Sequence, residues 1–152
     1  MQGAVTVHID AEPLTVWSLV SDITRMGEYS PEVFETEWLD GATGPAVGAR
    51  YRGHVKRNER GPTYWTVCKI TECVPGEVFE FAVVYRDKAV NTWRYEFRPA
   101  AGGGTDVTES FRLADNVLTK IYGVLGGSLR TRRNERDMRT TLERVKTAAE
   151  AA

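Results

Sequence analysis

Six stretches of alternating apolar and polar residues follow one another between residues 34 and 113, each separated from the next by a short turn signal. Phe34, Thr36 and Trp38 share one face of the first, and Tyr51, Gly53 and Val55 alternate with Arg50, Arg52, His54 and Lys56 in the second. A long third stretch covers residues 64–74. Phe79, Phe81, Val83 and Tyr85 form one side of the fourth, Trp93, Tyr95 and Phe97 one side of the fifth, and residues 105–113 make the sixth. Side chains on a strand point to alternate faces, so this rhythm specifies strands with one apolar face. The joints, such as Pro75-Gly76 and Gly102-Gly103-Gly104, are too short for the crossover helices that parallel neighbours require. The segment predicts an antiparallel meander and argues against βαβ units.

The flanks have a different period. Val5, Val7 and Ile9 alternate with Thr6 and His8, which predicts one further strand. A helix is expected from about residue 11 to 21, with Asp10 as its cap and Pro13 in its first turn, followed by a short helix over residues 24–29 that Pro31 stops. Residues 116–149 read as a long helix with two apolar stripes. Leu118, Ile121, Leu125 and Leu129 form one; Met138, Leu142, Val145 and Ala149 form the other. Leu129 and Met138 are nine residues apart, about two and a half turns, so the stripes lie on opposite sides of a straight helix. Either Gly123, Gly126 and Gly127 kink the helix, or its two halves cover different surfaces. The early stripe is then core, a lid over a pocket, or a dimer contact.

Charge and motif content exclude several function classes. With 20 Lys plus Arg against 21 Asp plus Glu, the chain has no global attraction to nucleic acid or anionic membranes. No apolar run approaches the length of a membrane helix, and neither a signal peptide nor a CxxC is visible, so a cytoplasmic protein without structural zinc is expected. Cys68 and Cys73 are five residues apart on one strand and are expected to face opposite ways. GxGxxG, P-loop, HExxH and GxSxG motifs are absent, and no metal or cofactor is expected. The arginines 130, 132, 133, 136 and 139 are interspersed with Glu135 and Asp137 and read as a solvated helix face.

Several segments resemble bacterial polyketide cyclase/dehydrase and lipid-transport proteins of the START-like (SRPBCC, helix-grip) superfamily. They are Ser21-Asp22-Ile23-Thr24-Arg25-Met26-Gly27-Glu28-Tyr29-Ser30-Pro31-Glu32, Val47-Gly48-Ala49-Arg50-Tyr51-Arg52-Gly53, Trp93-Arg94-Tyr95-Glu96-Phe97 and Gly104-Thr105-Asp106-Val107-Thr108-Glu109-Ser110. Trp65 with Val74-Pro75-Gly76 and the helix around Met138, Leu142 and Val145 belong to the same set. The resemblance implies an α+β helix-grip fold over residues 1–152 as one domain: a curved antiparallel sheet of about seven strands around a long C-terminal helix. It also implies a cavity between sheet and helix for a hydrophobic small molecule. The superfamily includes carriers, aromatase/cyclases and co-chaperone domains, so the fold does not choose among them.

Strand parity supplies candidate lining residues. The inward set contains Trp38, Tyr51, Phe79, Phe81, Tyr85, Trp93, Tyr95, Phe97 and Phe111, and the Met138 face of the helix extends back to Asn134 and Thr131. Large residues opposite small or polar ones leave volume for a ligand, or the aromatics fill a solid core. Glu109 shares parity with Val107 and Phe111. A buried carboxylate is costly unless paired or protonated. Glu109 therefore contacts a ligand or acts as an acid/base, or else it pairs with Arg132 or Arg133 or is turned to water by a bulge. Tyr51, Tyr85 and Tyr95 are candidate hydroxyl donors, or core tyrosines whose hydroxyls meet backbone or water, and Tyr51 and Tyr95 with Glu109 are the candidate proton-transfer groups. The resemblance implies an arginine with a hydroxyl or imidazole in the cavity of aromatase/cyclases. Here Arg50, Arg52, Arg86, Arg94, His8 and His54 all take the outward parity, which favours binding over catalysis. The expected partner is a hydrophobic ligand, with no nucleic acid and no integral membrane association, in a monomer or weak homodimer.

Overall fold

The computed structural model describes residues 2–56, 61–114 and 117–152, with only the backbone described for 117–130. Strand β1 (Gln2–Ile9) leads into helix α1 (Pro13–Ser21), a 3-10 turn (Ile23–Arg25) and helix α2 (Met26–Tyr29). Six strands follow: β2 (Val33–Trp38), β3 (Arg50–Val55), β4 (Tyr64–Val74), β5 (Val78–Tyr85), β6 (Lys88–Pro99) and β7 (Thr105–Leu113). Helix α3 (Val117–Ala151) ends the chain. All seven strands form one antiparallel sheet in the order β1-β7-β6-β5-β4-β3-β2. The helical connection thus carries the chain from one edge of the sheet to the other, and the meander returns it to β1. This is the helix-grip architecture, with its curved sheet, long terminal helix and short helices.

Packing follows the apolar patterns. Val5, Val7 and Ile9 of β1, Phe79 and Phe81 of β5, and Val107 and Phe111 of β7 are buried on one face. Against them lie Val16, Trp17 and Val20 of α1 and the Met138, Leu142, Val145, Ala149 stripe of α3, whose steps of four, three and four keep it on one side. Trp17 is fixed at both ends of its chemistry: its ring is buried and its indole N–H donates to the Val78 carbonyl at 2.9 Å. Asp10 does not cap α1. The N-cap is Glu12, without a side-chain hydrogen bond, and Asp10 instead meets His8 Nε2 at 2.9 Å. Pro13 opens the helix, where its missing N–H has no intrahelical partner to lose.

Irregularities in the ladder change which way particular side chains face. The β2–β3 register shifts between Val33 and Glu35, so Phe34 leaves the face of Thr36 and Trp38. It is 47% exposed and packs on His54 with ring centroids 4.4 Å apart, while Val33 takes the inner side. A second shift between Ile70 and Glu72 makes Thr71 an extra residue. Ile70 then opposes Phe81 and Cys73 opposes Phe79, which puts Cys73 on the same inner face as Cys68, contrary to simple alternation. Both thiols are free. The same bulge sends Glu72 outward, where it joins Glu80 and Glu96 around Arg94. None of the described helices is long and apolar enough to cross a membrane.

Candidate functional site

A cavity of about 270 Å³ lies between the inner face of the sheet and α3. Its walls come from every layer. Strands β3 to β5 provide Tyr51, Gly53, Thr66, Cys68, Phe81 and Val83; β6 and β7 provide Asn91, Trp93, Tyr95, Glu109 and Leu113. Met26, Ser30 and Pro31 close one side from the α2 segment, and Asn134, Asp137, Met138 and Thr141 close another from α3. Asn134, Asp137 and Thr141 on the helix face large residues on the sheet, and the space between them is what a Leu or Phe at those positions would otherwise fill.

Glu109 stands directly opposite Tyr95 in the β6–β7 register and accepts its hydroxyl at 2.7 Å through Oε1. The residue is 4% exposed, and Oε2 is buried without a partner among the described residues. Neither Arg132 nor Arg133 reaches it; both side chains are exposed on the outer side of α3. Burial pushes the Glu109 carboxyl up to about 8. The Tyr95 hydrogen bond acts in the opposite direction, and the Asp137 charge on α3 adds to the rise. At neutral pH the carboxyl is therefore mostly protonated, one oxygen accepting from Tyr95 and the other free to donate into the cavity. Tyr95 itself is held well above the usual phenol range, by burial first and by the Glu109 charge second. It stays a neutral donor.

Two more polar atoms in the wall lack partners among the described residues, the Tyr51 hydroxyl and Asn91 Oδ1. Burial, and then the neighbouring Cys68, raises the Tyr51 phenol; the two groups perturb each other without a hydrogen bond of ordinary geometry. The Cys68 thiol is pushed up to about 12 by burial, so it is a neutral wall atom and not a nucleophile. Tyr51 is held edge-on between Trp38 and Phe81, with centroid distances of 6.1 and 5.6 Å. Buried polar groups normally find partners. Three of them around one apolar space are suited to meeting polar atoms of a guest.

The family described as "Polyketide cyclase / dehydrase and lipid transport" matches residues 2–150. The chain belongs to that family. No curated protein matches it in sequence. Its fold is shared with a crystal structure of a protein from Thermus thermophilus at 17% identity, covering 99% of this chain and 98% of that one with a TM-score of 0.74. It is shared also with the di-domain ARO/CYC of the steffimycin biosynthetic pathway, at 15% identity and a TM-score of 0.75, where 99% of this chain spans 50% of the two-domain protein. A solution structure of a Polyketide_cyc-like protein from Corynebacterium glutamicum is 26% identical, covering 98% of this chain and 88% of that one with a TM-score of 0.60.

Six of the residues singled out from the sequence of this family member come together on the cavity: Tyr51, Phe81, Trp93, Tyr95, Glu109 and Asn134. Trp38, Phe79, Phe111 and Thr131 do not line it. Phe79 and Phe111 are packed in the core, and Trp38 supports Tyr51 from behind. Tyr85 departs furthest from expectation. It precedes the Arg86-Asp87 turn, whose φ values of 52° and 62° make a tight hairpin projecting into solvent, and it is 66% exposed with the Arg86 guanidinium 5.4 Å from its ring centre. Arg50, Arg52, Arg86, Arg94, His8 and His54 lie off the cavity. Among the wall residues that parity reasoning passed over are Asn91, Cys68, Asp137 and the α2 segment. Asn91 shares parity with Trp93 and Tyr95, and an Asn at the open end of an aromatic face was the available signal. The stripe Leu118, Ile121, Leu125, Leu129 has its side chains outside the described residues.

Proposed function

We propose that the protein binds a hydrophobic small molecule, lipid-like or aromatic, non-covalently between the sheet and α3. One observation carries this reading: a mostly apolar cavity holds three buried polar atoms, on Tyr51, Asn91 and Glu109, with no partner among the described residues. A volume of about 270 Å³ is near the lower end of small-molecule sites, which run from about 300 Å³ upward. Each 100 Å² of apolar ligand surface removed from water contributes about 2.5 kcal/mol, and the polar atoms orient the guest. Native mass spectrometry with dodecanol or a tricyclic aromatic tests it. A 1:1 non-covalent complex at micromolar concentration is expected, and absence of binding with both ligand types contradicts the reading.

A cyclase or dehydratase activity is the second reading, and the Glu109–Tyr95 pair favours it. A carboxyl raised to about 8 beside a neutral phenol is close to the poise that general acid–base work requires. The test is turnover of β-ketone substrates. Glu109→Gln abolishes product formation with little change in affinity if Glu109, with Tyr95 or Tyr51, transfers the proton; no turnover across a broad panel contradicts it.

A further inference from the structure

The binding reading leaves the guest's charge and polarity open, and the wall chemistry narrows both. Glu32, Glu109 and Asp137 bring the carboxyl groups of the cavity, and among the described lining residues there is no Lys, Arg or His. An anionic head group entering this space leaves water without meeting a cation among the described lining residues. At the deep end, Glu109 turns a free oxygen inward beside Tyr95. At the other end, Asn91 presents its unpartnered amide oxygen. Asn91, Trp93 and Tyr95 occupy alternate positions of β6 and so share its inner face, with Trp93 in the cavity wall between the two polar stations. Four steps along the strand take the chain from Asn91 to Tyr95, about 13 Å.

Resting on that binding reading, we propose that the cavity selects an uncharged, elongated, flat ligand. It carries a hydrogen-bond-accepting oxygen at the Glu109 end, a ring system against Trp93 and a second polar group near Asn91, and carboxylates of the same shape are rejected. The protonated Glu109 oxygen donates to the acceptor, while the Tyr95 hydroxyl stays engaged with the other oxygen and fixes the carboxyl plane. Other titratable groups facing Glu109 are Asp137 from α3, which disfavours a second negative charge, and Tyr51 across the cavity from β3. Its β1 neighbour is Val5, which carries no charge.

Three matched probes test this at pH 6.5 by calorimetry: 2-(hydroxymethyl)anthraquinone, anthraquinone-2-carboxylate and 2-(hydroxymethyl)anthracene. The quinone alcohol is expected to bind at least about tenfold tighter than the carboxylate, the cost of burying a charge with no partner. It is expected to exceed the anthracene by about two- to tenfold, the range of one neutral hydrogen bond. Glu109→Leu erases the second preference. Glu109→Gln, which keeps a donor and the side-chain shape, retains part of it. A carboxylate that binds as tightly as the alcohol, or an anthracene that binds as tightly as the quinone, overturns the inference and leaves the binding reading intact. Dodecanol binding without any of the three tricyclic probes also overturns it alone. Failure of all four compounds removes the binding reading and the inference together.

Discussion

Tyr95 and Glu109 face each other across the β6–β7 ladder, and the phenol donates to the carboxyl at 2.7 Å inside the cavity wall. The pair is polar chemistry placed by sheet register alone. A carboxyl in this position is tolerated because it is neutral at physiological pH, and that has a cost elsewhere on the pH scale. Folding raises the Glu109 carboxyl from 4.5 to about 8. Between those values the folded state holds a proton that the unfolded chain has released, so stability falls as pH rises through the window and the loss is complete above about pH 8.

Glu109→Gln removes this penalty. The variant is expected to match or fall slightly below the wild type near pH 4.5 and to exceed it at pH 8.5, by an amount on the order of 3–5 kcal/mol. Urea denaturation of both proteins across that range checks it, since other titrations cancel in the difference. Parallel pH curves for the two proteins would exclude a carboxyl raised by burial.

Tyr95→Phe deletes the one hydrogen bond Glu109 receives among the described residues. That bond favours the ionised form, so its loss moves the carboxyl further above about 8, and folding stability drops by about 1–2 kcal/mol. Infrared titration of the protonated carboxyl band follows the first effect, and thermal unfolding at pH 6 the second.

Gly27 sits where α2 crosses the start of β2. A Cβ there would come 2.5 Å from the Phe34 carbonyl oxygen, a backbone atom that cannot swing aside. Gly27→Ala is expected to cost about 1–3 kcal/mol, the range for forcing atoms into a packed site, and to widen the α2 side of the cavity. Chemical denaturation measures the cost; an unchanged midpoint would mean that α2 does not rest on β2.

His8 links β1 to its surroundings through Asp106 at Nδ1 and Asp10 at Nε2, both at 2.9 Å. The Asp106 hydrogen bond, then that of Asp10, raises the imidazole above 6.5. The stability it contributes is complete below pH 6.5 and is lost as pH rises through the raised value. NMR titration of the His8 ring protons should show the elevated midpoint, and Asp106→Asn should return it toward 6.5.

The fold was legible because alternation, turn residues and the Met138 stripe agree with one another at every level. What alternation could not supply is the position of the bulges. One extra residue at Thr71 moved Cys73 to the inner face, and the shift beside Phe34 moved an aromatic ring outward. Nothing in the local composition marks either site, because a bulge is fixed by how two strands meet rather than by either strand. Tyr85 failed for another reason. The Arg86-Asp87 hairpin turn lacks the glycine that usually marks positive φ, so the strand's end, and the exposure of its last residue, were hidden. Glu109 was found because three consecutive inward positions of β7 read Val107, Glu109, Phe111, a charge where a core residue belongs. Its partner could only come from register, which pairs Tyr95 with it across fourteen residues of chain.

The most direct test of the account is heteronuclear NMR of the protein titrated with 2-(hydroxymethyl)anthraquinone. Shift changes and ligand contacts should gather on Tyr51, Trp93, Tyr95, Glu109 and Asn134, around one saturable site. Changes confined to the outer-face cluster of Phe34, His54 and Trp65, or no saturable change at all, would contradict a ligand cavity between the sheet and α3.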